Sequence, residues 1–137
     1  MLGGMRRASS TAAQLTGDAA EAMVAARLEA AGWRILARNL RLGRDELDLV
    51  ATDPGPPAAL VVVEVRRRGR RDFGLAEETL DHRKRRALRR GVAMLLERGM
   101  LPDGRLLPAL PVRVDLVAVD VDAAGSPSVR HHRGIRP

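Results

Sequence analysis

Residues 46–68 constrain the fold more than any other stretch: Glu-Leu-Asp-Leu-Val-Ala-Thr-Asp-Pro-Gly-Pro-Pro-Ala-Ala-Leu-Val-Val-Val-Glu-Val-Arg-Arg-Arg. They read as two strands joined by a Pro/Gly turn at 53–57. Glu46 and Asp48 interrupt the first apolar run, and Glu64 interrupts the second. An ionised carboxylate inside a sheet is costly unless it is paired or bound to a cation. Acids in the middle of buried strands therefore demand a chemical role or a partner.

Side chains alternate along a strand. The strand at 46–51 thus puts Leu47, Leu49 and Ala51 on one face and Glu46, Asp48 and Val50 on the other. The strand at 59–66 is β-branched and almost wholly apolar, which predicts a central position. Val61, Val63 and Val65 share one face of it; Leu60, Val62, Glu64 and Arg66 share the other. Antiparallel pairing about the turn sets Glu46 or Asp48 across from Glu64, with Cβ atoms about 5 Å apart. Two carboxylates so placed can share one hard cation through oxygen ligands. The alternative is a strand-end acid that reaches solvent. It suits Glu46, which opens its strand, and suits Glu64 least.

The chain of 137 residues fits one domain with a modest core: a flexible tail over 1–15, a single domain over 16–132 and a C-terminal tail over 133–137. A first helix is predicted over 16–31, with Asp18 as N-cap and Glu21 three residues on, the spacing of a capping box. Ala20, Val24, Leu28 and Ala31 form its apolar stripe, and Gly32 ends it. Glu21 borders that stripe, so a capping glutamate and an acid facing the sheet are both open. An extended segment follows over 33–40, with a turn at 41–45. A second helix is predicted over 76–98, with Leu80, Ala87, Leu88, Gly91, Met94 and Leu95 inward. Lys84 falls on that stripe and is the sole lysine among 24 Lys+Arg. Arg83, Arg85, Arg86, Arg89 and Arg90 cover the flanks. A strand over 112–121 is apolar on both faces, hence central, and 128–132 forms a short last strand. His131 and His132 lie near a basic tail, no carboxylate cluster beside them marks a metal site, and they read as surface residues.

The absence of cysteine excludes disulfides, thiolate metal sites and cysteine nucleophiles. The longest apolar run, 58–63, is too short to cross a bilayer, and residues 1–16 lack a secretory apolar core. The expected location is cytoplasmic. The formal net charge of +7 points to a polyanionic partner, nucleic acid before membrane. Part of that charge reflects a general bias toward arginine. With only Trp33 and Phe73 as aromatic residues, unpaired bases have almost no stacking platform, and backbone contacts should dominate.

Read as Asp48…Glu64-Val-Arg66, with Glu21 on a helix, the pattern looks like the Asp…Glu-x-Lys signature of the restriction-endonuclease-like superfamily. Gly17…Glu21-Ala22, Gly32-Trp-Arg-Ile-Leu-Ala-Arg-Asn39, Glu46-Leu-Asp-Leu-Val-Ala51 and Val63-Glu-Val-Arg-Arg-Arg68 together resemble the YraN-like family of small bacterial proteins. Phe73-Gly74, Lys84 and Arg113-Val-Asp115 fit the same pattern, and the resemblance spans residues 14–121.

The resemblance implies an α-β-β-β-α-β core with a mixed central sheet. It also implies a Mg-dependent (or Mn-dependent) nuclease that hydrolyses DNA phosphodiesters without sequence specificity. Carried over by position, Asp48 and Glu64 are the metal ligands and Glu21 an accessory acid. Arg67, Arg68, Arg70, Arg71, Arg83 and Arg86 would hold flanking phosphates. Arg66 stands where the family has lysine. Arginine keeps the charge but stays protonated and needs more room, so a proton-transfer role at this position is lost. Lys84 either supplies the missing ammonium or pairs with a buried acid. Two further readings stay open: a catalytically silent nucleic-acid-binding module on the same fold, and a protein-interaction domain.

Overall fold

A computed structural model describes residues 15–68 and 80–137. The elements are α1 (Gly17–Ala30), β1 (Arg34–Leu42), β2 (Asp45–Asp53), β3 (Ala59–Arg68), α2 (His82–Arg98), β4 (Val112–Val121) and β5 (Pro127–His132). They form one mixed sheet of order β1-β2-β3-β4-β5. β3 and β4 pair in parallel, and the other neighbours pair antiparallel. The expected α-β-β-β-α-β order is present, with β5 added at the edge. β3 and β4 are interior strands, as their two apolar faces require.

Each face of the sheet has its own core. On one, Ala20, Val24, Ala25 and Leu28 of α1 pack against Leu49, Ala51, Val61, Val63, Val117 and Val119. On the other, Leu88 and Leu95 of α2 pack against Leu40, Leu42, Leu47, Val50, Leu60, Val62 and Leu116. α2 packs tightly on β2 at Gly91, where a Cβ would stand 2.9 Å from Leu47 Cδ2.

Four local expectations change. The N-cap of α1 is Thr16, whose Oγ1 accepts the Ala19 N–H at 3.1 Å, and not Asp18. The helix begins two residues earlier than Asp18 capping would require, so Glu21 lies beyond the capping turn. Ala31 is the exposed C-cap and not part of the buried stripe. α2 starts at His82, because the Asp81 carboxylate accepts the Lys84 N–H at 2.8 Å and caps the helix there. Leu80 is buried although it precedes the helix. Finally, Leu47 and Leu49 lie on opposite faces of β2 and not together.

Residues 1–14, the Phe73-Gly74 pair and positions 76–79 lie outside the described residues. Residues 133–137 run against the body of the fold. The Ile135 N–H donates to the Val114 carbonyl at 2.8 Å, and the Ile135 side chain is buried with the α2-side core.

Candidate functional site

β2 and β3 pair from Asp53–Ala59 up to Leu49–Val63. Extending that register by one residue sets Asp48 against Glu64, but the ladder stops there. The next inward N–H, that of Val65, donates to Asp48 Oδ2 at 2.8 Å and takes a side chain in place of a backbone acceptor. A cavity of about 360 Å³ opens at this end of the hairpin, lined by Glu21, Asp48, Glu64, Arg66, Arg67 and Lys84. Gly17 and Ala20 of α1 and Val65 complete it. The two helices, on opposite faces of the sheet, each send one charged residue to the opening: Glu21 from α1 and Lys84 from α2.

Glu64 is buried, at 3% exposure, at the floor of this cavity. Its carboxyl is pushed up to about 8, first by burial and then by Asp48 beside it, with Lys84 pulling in the opposite direction. Lys84 Nζ stands 3.2 Å from Glu64 Oε2. Lys84 is thus the cationic partner of Glu64 at the cavity, while Glu21 Oε2 is buried without a hydrogen-bond partner among the described residues. Burial and then the Asp48 charge raise the Glu21 carboxyl to about 7, and a side-chain contact from Asn39 partly offsets them. Asp48 therefore sits between two acids that both resist ionising.

Among the described residues no three His, Asp or Glu side chains stand as a ready-made metal cage. Magnesium does not need one. It is commonly held by one or two carboxylates, with waters and phosphate oxygens filling the other positions. Two adjacent carboxylates, Asp48 and buried Glu64, lining one open cavity fit such an ion.

The basic residues sort into two groups. Arg85 donates to the carbonyls of Leu80 and Arg136, Arg89 donates to that of Pro137, and Arg90 makes a forked pair with Asp45. These three hold the fold together. Arg83 and Arg86 are exposed near Lys84. Arg67 reaches the Leu15 carbonyl and, with Arg66, borders the cavity. Arg70 and Arg71 lie outside the described residues, as does the side chain of Arg68.

A second polar cluster corrects the reading of His131 as a surface residue: its ring is half-buried against Asp115. Asp115 is fully buried and accepts from Arg113 Nε and Nη2 at 2.8 and 3.0 Å and from the Gly134 N–H at 3.0 Å. His131 Nε2 lies 2.8 Å from the same carboxylate. Burial alone would raise Asp115, but the bonds from His131, Arg113 and Gly134 overcome it and hold the carboxyl at about 2. Arg113 also reaches Asp53 at 2.9 Å and stands over the Trp33 ring, 5.6 Å from its centroid. The residues after β5 bring Gly134 and Arg133 to this cluster, and strand alternation along 128–132 carries no sign of that. It locks the far end of the sheet and does not touch the cavity.

The fold and the site define a class: a two-faced α/β protein whose central hairpin opens around buried Glu64 and half-buried Asp48 and Glu21. The chain belongs to the uncharacterised protein family UPF0102, whose model matches residues 20–119. This is the family that the YraN-like resemblance pointed to. A UPF0102 protein of Xanthomonas euvesicatoria is 44% identical over 120 residues, covering 88% of each chain. One of Moorella thermoacetica is 40% identical over 106 residues, 77% of this chain and 81% of the relative. One of Deinococcus radiodurans is 36% identical over 107 residues, 78% and 81% respectively.

Proposed function

We propose that the protein is a Mg-dependent (or Mn-dependent) nuclease that cleaves phosphodiester bonds in DNA without reading base sequence. The observation that carries this reading is the Asp48–Glu64 pair. Buried Glu64, ion-paired with Lys84, and Asp48 line one open cavity where the β2–β3 ladder gives way to a side chain. Asp48 and Glu64 would hold the cation. The chemistry such a cation supplies is Lewis-acid polarisation of a phosphoryl oxygen and a lowered pKa for water.

The chain's own groups divide the remaining work. Glu21, raised to about 7, is suited to accept the proton of an attacking water near neutral pH. Lys84 brings an ammonium to buried Glu64 from α2. Arg66 and Arg67 at the cavity, with exposed Arg83 and Arg86, would neutralise flanking phosphates. Among the described residues no aromatic side chain lines the cavity, so backbone geometry and not base stacking would select the substrate. A bacterial cytoplasmic location suits such an activity. Among the described residues no helix is long and apolar enough to cross a membrane.

A second reading is favoured by one residue. Arg66 stays protonated and cannot relay a proton, so the fold could bind nucleic acid without cutting it. Incubating supercoiled and linear DNA with the protein and Mg²⁺ separates the two. Cleavage that is lost in Glu64→Gln supports the nuclease. DNA binding that weakens steeply with salt and in Arg83→Ala/Arg86→Ala, with no cleavage, supports the silent module. Neither cleavage nor binding would overturn both.

A further inference from the structure

Asn39 is exposed in the middle of β1, yet among the described residues it is the only non-glycine with positive φ, at 49°. Asparagine tolerates this left-handed region better than other side chains do, and β-branched residues tolerate it worst. The β1–β2 register passes from Arg38–Leu49 to Leu40–Leu47 with no pair between Asn39 and Asp48. Both strands change face at that gap. Residues three apart should lie on opposite faces of a strand. Yet Ala37 and Leu40 pack into the same core, and so do Leu47 and Val50. Leu49 is left on the α1 side. The acid at the centre of this switch is Asp48, which accepts the Val65 N–H where the β2–β3 ladder ends. The Asn39 side chain also contacts Glu21.

We propose that Asn39 is the positioning residue of the acid cluster: its left-handed backbone turns Asp48 out of the ladder toward Glu64, and its amide steadies Glu21. A regular strand would continue the ladder through Asn39–Asp48, and the hairpin would not splay. The inference deepens the cation-site reading and rests on it only for the cation-binding arm of the test.

Two variants of the full chain separate backbone from side chain. Asn39→Gly keeps the left-handed conformation and removes the amide. Asn39→Val opposes the conformation as well. Hydrogen exchange of the Val65 amide in cation-free protein reports the Asp48 bond directly, with the Val62 amide of the same strand as reference. The expected result is unchanged Val65 protection in Asn39→Gly and a loss of about tenfold or more, relative to Val62, in Asn39→Val. Mn²⁺ affinity should fall about threefold in the first and about tenfold in the second. If Asn39→Val does not fold, Asn39→Ala takes its place with the same ordering. Wild-type protection and Mn²⁺ affinity in the valine or alanine variant would overturn the proposal, as would equal losses in the glycine variant. A wild-type chain that binds no Mn²⁺ refutes the cation reading instead, while the Val65 amide still decides the role of Asn39.

Discussion

Lys84 Nζ stands 3.2 Å from Glu64 Oε2, so the sole lysine of the chain meets the acid that interrupts its most apolar strand. The lysine side chain is 39% exposed and the glutamate 3%. The pair therefore joins a partly hydrated cation to a buried acid.

That asymmetry fixes the pH at which the pair matters. With its carboxyl raised to about 8, Glu64 is neutral in acid and needs no cation there. Lys84→Met should leave stability unchanged at pH 5. At pH 9 it should lower stability by about 1 kcal/mol, less than a fully buried pair would lose because water screens the lysine. Urea unfolding at the two pH values checks this, and an equal loss at both would contradict it.

The raised carboxyls also set the slope of stability with pH. Glu21 and Glu64 bind protons more tightly folded than unfolded, where both lie near 4.5. Their contribution is complete below about 4.5 and is lost as pH rises toward 8. Asp115, held at about 2 against an ordinary 3.8, acts the other way and is lost as pH falls through that window. Cation-free protein should thus be most stable near pH 4–5 on account of these groups. Glu64→Gln should flatten the alkaline limb, with a gain on the order of 1–3 kcal/mol at pH 8. Added Mg²⁺ should raise Tm more at pH 8 than at pH 5, because it competes with those protons.

The second cluster should dominate stability without touching the cavity. Arg113→Ala leaves the fully buried Asp115 with only His131 and the Gly134 N–H, at a cost of about 3–5 kcal/mol. The variant should also shift the emission of Trp33, which lies beneath both Arg113 and Arg133. Urea unfolding followed by Trp33 fluorescence measures both effects at once.

The cap assignment is testable in the same way. Thr16→Ala removes the acceptor for the Ala19 N–H and should cost about 1 kcal/mol. Asp18→Ala should cost only a few tenths, because its side chain caps nothing. A larger loss from Asp18 in thermal unfolding would restore the capping-box reading of Glu21.

Glu64 was legible because one acid inside a valine run admits few explanations, and Lys84 because helical spacing put it in line with Leu88. The fold followed from the alternation of apolar residues in β3 and β4, which holds throughout both strands. Alternation failed in β2 because the switch between Leu47 and Leu49 is tied to the backbone of Asn39 in the neighbouring strand. Its only sequence trace is a poor strand former at a position that needs left-handed geometry. Thr16 and Asp18 are both cap formers by residue type, with Asp the better, so residue type alone points to the wrong one. The Asp115–His131 contact depends on how the chain after β5 folds back, which strand periodicity does not encode.

The central claim is that Asp48 and Glu64 together hold a divalent cation, and calorimetric titration of Mn²⁺ and Mg²⁺ into the cation-free protein at pH 8 tests it most directly. Saturable binding to the wild type is expected, lost in Asp48→Ala and strongly weakened in Glu64→Gln, with both variants still folded. No binding to the wild type, or binding that survives Asp48→Ala unchanged, would contradict it.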